Sequence, residues 1–505
     1  MNVLVINGHP RENSFSGAFL QAYVTGAREA GATIETLKLA SLCFDPNVTC
    51  PIPHRQYAEP DIENARQLIL WANHIVFIYP TWWGTMPALL KGFIDRVFIS
   101  GFAFEETEAG AGYAPLLRGR SAQVITTMDT PVMIYKLFYR APGHNAMRRS
   151  ILQFCGFIVT GILSFGPVKN ADQEKRESWL RKVNHEGLKL KNGPLSSWKK
   201  FRMRLAAWLK AIRLQFYPMT FIAYAAGTFG AQQAGYGFDP AIFWLGYIWL
   251  FFLEVSTVLS NDYFDYVSDK QNRFYGPFTG GSRVIVDRLL SFRQISKGIF
   301  FSLGLSFAAL SILLFTIPGS LMTISMICGI LFVMALGYTV PPLKLSYRGL
   351  GEITVGLTHS FAVIICGYLF QGGGIADSLP WFISLPLFLA VLPSITLSGI
   401  PDFDADKAAS KKTLAVRVGK KGAARLAISF TILSAVSIIV FILLDILPGT
   451  FNGILYGVIP HAGFLSFLLF RYIKDRNPCV RIDSLMIASL TYLMWFAVIP
   501  LINLY

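Results

Sequence analysis

The stretch Asn261-Asp262-Tyr263-Phe264-Asp265-Tyr266-Val267-Ser268-Asp269 decides how this chain is read, because it follows directly on an apolar run. On a continuous helix Asp262, Asp265 and Asp269, spaced i, i+3 and i+7, share one face. Three carboxylates at the mouth of a membrane helix are costly unless they bind something cationic. Mg²⁺ is the natural guest, a hard cation that takes one or two carboxylates from the protein and further oxygens from substrate phosphates. A second acidic cluster, Asp402-Phe403-Asp404-Ala405-Asp406, lies far downstream. Asp402 and Asp406 again share a face, whereas Asp404 is turned about 160° away from Asp402. Two acid clusters on separate helices predict a site for a Mg²⁺-bound diphosphate. A solvated acidic loop accounts for one such cluster more readily than for a matched pair.

Composition agrees with a membrane setting. Of 505 residues, 53% are hydrophobic and 15% charged, and the mean hydropathy is +0.47. The apolar character is uneven: residues 1–200 read as a soluble domain, and residues 206–505 are mostly long apolar runs. The net charge of +15 gathers in short loops between those runs. That favours membrane lipids as partners, and no nucleic acid is expected because no reading module is present. The six cysteines (Cys43, Cys50, Cys155, Cys328, Cys366 and Cys479) form no metal-binding spacing and are expected to be reduced thiols. The N-terminus lacks the basic start of a signal peptide and reads as a buried strand.

Nine apolar spans, centred near residues 222, 250, 306, 329, 361, 390, 435, 461 and 493, are each near the roughly 20 residues that cross a bilayer. Residues 192–205 form a basic, amphipathic linker before them. Alternate loops carry the cations: Lys270, Arg273, Arg283 and Arg288; Lys344 and Arg348; Lys407, Lys411, Lys412, Arg417, Lys420 and Lys421; Arg471, Lys474, Arg476 and Arg481. By the positive-inside rule these face the cytoplasm. The expectation is a multi-pass protein of the cytoplasmic (inner) membrane, with the N-terminal domain and both acid clusters cytoplasmic and the C-terminus outside.

In the soluble half, strand patterns at 2–7, 34–37, 75–79, 124–127 and 161–165 alternate with helical patterns at about 16–30, 61–73, 87–98 and 171–190. This predicts an α/β doubly wound parallel sheet, whose ligand sits beyond the carboxyl ends of the strands. The loop at 8–16 offers hydroxyls and backbone N–H groups suited to phosphate, and the loop at 80–84 is aromatic. Asn7-Gly-His-Pro-Arg-Glu-Asn-Ser-Phe-Ser16 and the run from Tyr79-Pro-Thr-Trp-Trp-Gly84 to Phe98 resemble the flavodoxin-like NAD(P)H:quinone oxidoreductases. The resemblance implies FMN or FAD. His9, Ser14, Phe15 and Ser16 would hold its phosphate, Pro80, Thr81, Trp82 and Trp83 would line its ring, and Thr126 and Thr127 the far edge. Tyr135, Tyr139 and His144 are candidates for the quinone or nicotinamide pocket.

The second half, about 206–505, resembles the UbiA family of membrane prenyltransferases. The markers are Asn261-Asp262-x-x-Asp265-x-x-x-Asp269 and Asp402-x-x-x-Asp406 leading into Lys411-Lys412-Thr-Leu-Ala-Val-Arg-Val-Gly419. Gly280-Gly-Ser-Arg283, Tyr338-Thr-Val-Pro-Pro-Leu-Lys344 and Gly349-Leu-Gly-Glu352 look most like 1,4-dihydroxy-2-naphthoate prenyltransferases, although Ser398-Gly-Ile-Pro401 stands where those enzymes tend to carry Asn-Asn-x-Arg. The resemblance implies an all-α, nine-helix transmembrane bundle in which Asp262, Asp265, Asp269, Asp402 and Asp406 hold Mg²⁺ on a prenyl diphosphate. Asn261, Arg273, Lys344, Arg348 and Lys412 are candidates for binding substrate. The expected organisation is residues 1–191 as the flavin domain, 192–205 as linker and 206–505 as the prenyltransferase.

The fusion suggests one function. A prenyl cation alkylates a hydroquinone ring readily and a quinone poorly, and a flavin makes one from the other with NAD(P)H. The expectation is a bifunctional enzyme of menaquinone-type prenylquinone synthesis. Its alternatives are a prenyltransferase whose flavin domain serves a separate redox role, and a tethered quinone reductase with a non-catalytic membrane half.

Overall fold

The computed structural model of the chain describes residues 1–106, 112–475 and 482–505. Arg476, Cys479 and Arg481 lie outside the described residues. The chain forms two compact units, Met1–Phe201 and Arg202–Tyr505.

The first unit is built on a five-stranded parallel sheet in the order Thr33–Lys38, Asn2–Asn7, His74–Pro80, Ser121–Thr127 and Ile158–Phe165. Period-two alternation sends Leu4, Ile6, Phe77 and Val124 to one face and Val3, Val5, Val76, Ile78 and Ile125 to the other. Helices Pro60–Trp71 and Ala88–Val97 cover the first face, and Phe15–Glu29 and Gln173–Leu188 the second. Burial on both faces is why the strands read as apolar runs. The strand order reverses beside Asn2–Asn7, so the crossovers leave that strand and His74–Pro80 on opposite faces and a crevice opens at their carboxyl ends. A small antiparallel hairpin, Phe104–Glu106 with Tyr113–Pro115, was not expected; three residues a strand are too few to set a period.

His74, at the start of its strand, is buried with Nδ1 2.8 Å from the Ser121 hydroxyl. Burial pushes its imidazole down to about 4. The unfolded chain takes up that proton near 6.5, so the stability His74 contributes is full above about pH 6.5 and is lost as pH falls toward 4, by roughly 3 kcal/mol. Urea unfolding followed between pH 7 and pH 4 checks this, and His74→Gln should flatten the slope.

The second unit is all helical. Among the described residues seven helices are long and apolar enough to cross a membrane: Pro240–Phe264, Phe292–Thr316, Gly351–Phe370, Ser378–Ala408, Lys420–Leu443, Ile454–Lys474 and Asp483–Leu504. Tyr217–Gln233 and Leu321–Gly337, of 17 residues each, complete the packing. Tyr217–Gln233 crosses the segment Val363–Phe370 at Gly227 and Gly367, where a Cβ would strike the Ile364 or Tyr224 carbonyl. Small residues let the two backbones touch, which is how helices associate where no water drives burial. Ser378–Ala408, 31 residues long, spans about 46 Å against a hydrocarbon core of about 30 Å, so its last turns carry Asp402 and Asp406 past the apolar stretch. A π-helical turn, Thr358–Ala362, interrupts Gly351–Phe370.

Helix Ser197–Ile212 begins within the stretch read as linker. It exposes Trp198, Phe201, Leu205 and Leu209 along one face, with Lys199, Lys200, Arg202 and Arg204 beside them. That is the amphipathic, basic pattern of a helix lying at a membrane surface.

Candidate functional site

Helix Pro240–Phe264 stops one residue short of Asp265, and the chain restarts as the short helix Tyr266–Gln271. The backbone N–H groups of Asp265 and Asp269 still reach back four residues, to Asn261 and Asp265, so helical spacing carries through the joint. Asn261, Asp265, Ser268, Asp269 and Asn272 line a cavity of about 600 Å³, together with Asp402 and Asp406 from the far motif. Asp262 does not line it. Its Oδ1 lies 2.5 Å from Arg213 Nη2 and accepts the Ser282 N–H at 3.0 Å, and its Oδ2 accepts the Ser282 hydroxyl. The expectation that Asp262 shares a face with Asp265 and Asp269 is thus corrected: Asn261 takes that place, and Asp262 anchors the segment behind it.

The two motifs meet around one cation. Lys411 Nζ stands 3.0 Å from Asp265 Oδ2 and 3.4 Å from Asp406 Oδ1. Burial works against its charge, and the two carboxylates outweigh burial and hold the ammonium protonated. The Tyr347 hydroxyl donates to Asp265 Oδ1 at 2.8 Å, Asn272 Nδ2 to Asp402 Oδ1 at 2.7 Å, and the Ser268 hydroxyl to Asp406 Oδ1 at 3.3 Å. Burial, reinforced by Asp265 and Asp262, pushes the Asp269 carboxyl up to about 7 against the pull of Arg213. Arg213 answers with the converse: burial opposes its charge, and Asp262, Asp269 and Asp265 raise it. Gly280 and Gly281, at φ 77° and 72°, bring the next loop against Asp269, where a Cβ on Gly281 would collide with the carboxylate.

Among the described residues no group of three His, Cys, Asp or Glu side chains converges to hold a metal alone. The donor set fits Mg²⁺ shared with a phosphate, which needs only one or two carboxylates from the protein. Asn261 Oδ1 is buried without a partner, and the Lys411 ammonium already stands where Asp265 and Asp406 face one another.

The expected cations are placed differently. Lys344 lies over the Tyr347 ring at 4.9 Å, Arg348 donates to the Pro342 carbonyl at 2.9 Å, and Arg273 and Lys412 are exposed. None of the four lines the cavity; Arg213 and Lys411 do. Lys411 sits beside Lys412 in the quoted motif, so its neighbourhood was visible in the sequence. Arg213 carried no signal, being the last of a run of basic residues. Asp404 is exposed and paired with Lys420 at 3.0 Å, as its helical phase predicts.

In the first unit, the crevice joins the loops after Asn2–Asn7 and His74–Pro80. Ser14 caps Phe15–Glu29, its hydroxyl accepting the Gly17 N–H at 3.2 Å. Phe15 packs on Phe19 and Trp179. The Arg11 N–H donates to His9 Nδ1 at 3.0 Å, leaving the ring proton on Nε2, and burial with the Arg11 charge lowers the His9 pKa. The hydroxyls of Ser16 and Thr81 are buried and unpartnered. Trp82 packs edge-on to His9, while Trp83, in a left-handed conformation, is 103% exposed. Thr126 and Thr127 end their strand beside Pro80. Orphan hydroxyls at a helix N-terminus next to unpacked indoles fit a phosphate with a flat ring, hence a flavin.

Tyr135 and His144 are buried. The Tyr135 hydroxyl donates to the Gly84 carbonyl at 2.8 Å and accepts the Gly143 N–H at 3.0 Å, which clamps the Trp83-Gly84 turn. His144 Nε2 lies 3.2 Å from the Thr126 hydroxyl, and burial, with Lys136 and Arg148 nearby, pushes it down to about 4. Tyr139 is exposed.

Comparison with known proteins covers both halves of the chain. The family model for UbiA prenyltransferases matches residues 219–497. The chain belongs to the UbiA prenyltransferase family. The model for the flavodoxin-like fold matches residues 1–185, so a flavodoxin-like NAD(P)H oxidoreductase domain precedes the UbiA prenyltransferase domain. An uncharacterized NAD(P)H oxidoreductase of Haemophilus influenzae is 29% identical over 185 residues, covering 36% of this chain and 91% of that protein. The 1,4-dihydroxy-2-naphthoate octaprenyltransferase of Escherichia coli is 27% identical over 226 residues, 44% of this chain and 71% of that enzyme. A UbiA homologue from Archaeoglobus fulgidus, solved with GPP and Mg²⁺, covers 58% of this chain and 99% of its own at 14% identity and a TM-score of 0.42.

Proposed function

We propose that the chain is a bifunctional membrane enzyme. Its membrane half, residues 206–505, transfers a prenyl group from a prenyl diphosphate to an aromatic quinol of the menaquinone type. Its N-terminal half, residues 1–191, makes that quinol from a quinone with NAD(P)H, and residues 192–205 join the two. The membrane half crosses the cytoplasmic membrane nine times, with the flavin domain and acid motifs on the cytoplasmic side and the C-terminus outside, as the alternating loop charges favour.

The observation that carries this reading is the meeting of the two acid motifs around Lys411 in one cavity. Asn261, Asp265 and Asp269 from one motif and Asp402 and Asp406 from the other would hold Mg²⁺ and its diphosphate. Bound Mg²⁺ would offset the charge building on the leaving diphosphate. Arg213 and Lys411 add fixed positive charge at the same end. Tyr347 and Asn272 orient Asp265 and Asp402 through their hydrogen bonds. Apolar walls at Leu250, Leu253, Val391 and Leu493 hold the isoprenoid and keep water from the allylic centre. In the other half, Ser14, Ser16 and His9 would take the flavin phosphate and Thr81, Trp82 and Trp83 its ring, FMN or FAD. A bound flavin would supply hydride transfer from NAD(P)H to the quinone. Fusion in one chain raises the effective concentration of quinol at the transferase.

The test is product analysis by mass spectrometry with purified full-length protein, Mg²⁺, geranyl diphosphate and a naphthoquinone, with and without NADPH. Prenylated product is expected only with NADPH. Product from 1,4-dihydroxy-2-naphthoate alone, regardless of NADPH, would make the flavin domain an accessory with its own redox task.

A further inference from the structure

Glu352 and Tyr338 also line the cavity, near Asp406 at its acid end; deeper in the apolar wall stand two further ionisable side chains with no part in the chemistry above, Glu254 and His359. Glu254 lies in Pro240–Phe264, about two turns before Asn261, within the apolar span and away from the acid-lined mouth. Its Oε2 is buried, and beside the carboxyl stands the hydroxyl of Thr220, which lines the cavity too. A carboxyl inside a span is costly unless something binds it, so the two mark a polar subsite in an apolar wall. His359 stands on the π-helical turn Thr358–Ala362. Its Nδ1 is 3.1 Å from the Val355 carbonyl, which can only accept, so the ring proton sits on Nδ1 and Nε2 remains an acceptor.

The charge around the cavity decides what the two acceptors suit. Among the described residues the Lys and Arg side chains lining it are Arg213 and Lys411. Arg213 is drawn to Asp262 and Lys411 to Asp265 and Asp406, all at the diphosphate end. An aromatic carboxylate seated beside Glu254 would therefore bring its charge into an apolar wall, next to another carboxyl and with no counter-ion. A neutral hydroquinone brings two O–H donors and no charge.

We infer that Glu254 and His359 form the acceptor subsite and select an uncharged hydroquinone, a ring without a carboxylate, by accepting hydrogen bonds from its hydroxyls. The inference rests on the prenyltransferase reading of the membrane half and names its acceptor class. It also gives the fusion a chemical reason, since a quinone reductase produces such hydroquinones.

The experiment compares two probes that differ in a carboxylate: prereduced 2-methyl-1,4-naphthohydroquinone and 1,4-dihydroxy-2-naphthoate. Each is given anaerobically with geranyl diphosphate and Mg²⁺ to the full-length protein in nanodiscs. The neutral probe is expected to be favoured at least about tenfold in kcat/KM. Glu254→Met should raise its KM by about tenfold, the effect of losing a buried hydrogen-bond acceptor, and leave the KM for geranyl diphosphate unchanged. His359→Phe should also raise the acceptor KM, and Glu254→Lys should turn preference toward the carboxylate probe. Geranyl diphosphate binding without acceptor reports that each variant is folded. Preference of the wild type for the carboxylate, or an unchanged acceptor KM in Glu254→Met, overturns this inference and leaves the transferase reading standing. Failure to prenylate either probe overturns both.

Discussion

Asp265→Asn should abolish prenyl transfer, by at least about a thousandfold, while NAD(P)H-dependent quinone reduction by the same chain continues at its full rate. Asp265 lines the cavity, faces Asp406 across the Lys411 ammonium, and is oriented by Tyr347. An amide there keeps the shape and removes the charge that a diphosphate-bound cation needs. Lys411 retains Asp406, so the fold survives the change. Asp404→Asn is the control: exposed and paired only at the surface with Lys420, it should leave transfer unchanged. Prenylated product and NADPH oxidation, measured on one preparation, give the answer. Equal loss of both activities in a folded Asp265→Asn protein would refute the division of labour between the halves.

Arg213→Met is the change expected to cost most in stability, about 3–5 kcal/mol. Its guanidinium lies 2.5 Å from Asp262 with side-chain exposures of 17% and 3%, so truncation leaves a buried carboxylate without its cation. The loss lies in the stranded charge and not in the pair itself. The double variant Arg213→Met with Asp262→Asn should therefore recover most of it. Thermal unfolding of the detergent-solubilised protein separates the cases. A double variant no more stable than the single one would show that Arg213 acts through the cavity instead.

The fold was largely legible because its signals are local. Strands at 2–7 and 75–79 appear as Asn2–Asn7 and His74–Pro80, since burial on both sheet faces leaves continuous apolar runs. The helical pattern at 87–98 appears as Ala88–Val97. Long apolar spans announce themselves in the same way, and seven reach crossing length in the structure. The acid motifs were legible too, because carboxylates beside apolar runs are costly enough to need a reason.

What the sequence determined, then, is the order of the two domains, the parallel sheet, the membrane helices and the pairing of two acid motifs. The tertiary structure decided which side chains share the cavity. Helical phase says which residues are neighbours but not which edge of the face meets the cavity: Asn261 and Asp262 adjoin on Pro240–Phe264, yet Asn261 lines the cavity and Asp262 turns to Arg213. Arg213 is 49 residues from Asp262, and Lys411 reaches a carboxylate on another helix while its neighbour Lys412 faces outward. Glu254 and His359 lie in apolar stretches that read as membrane span, and their presence on one cavity is a contact between helices. Such contacts are set by the packing of distant segments, for which a linear pattern holds no period.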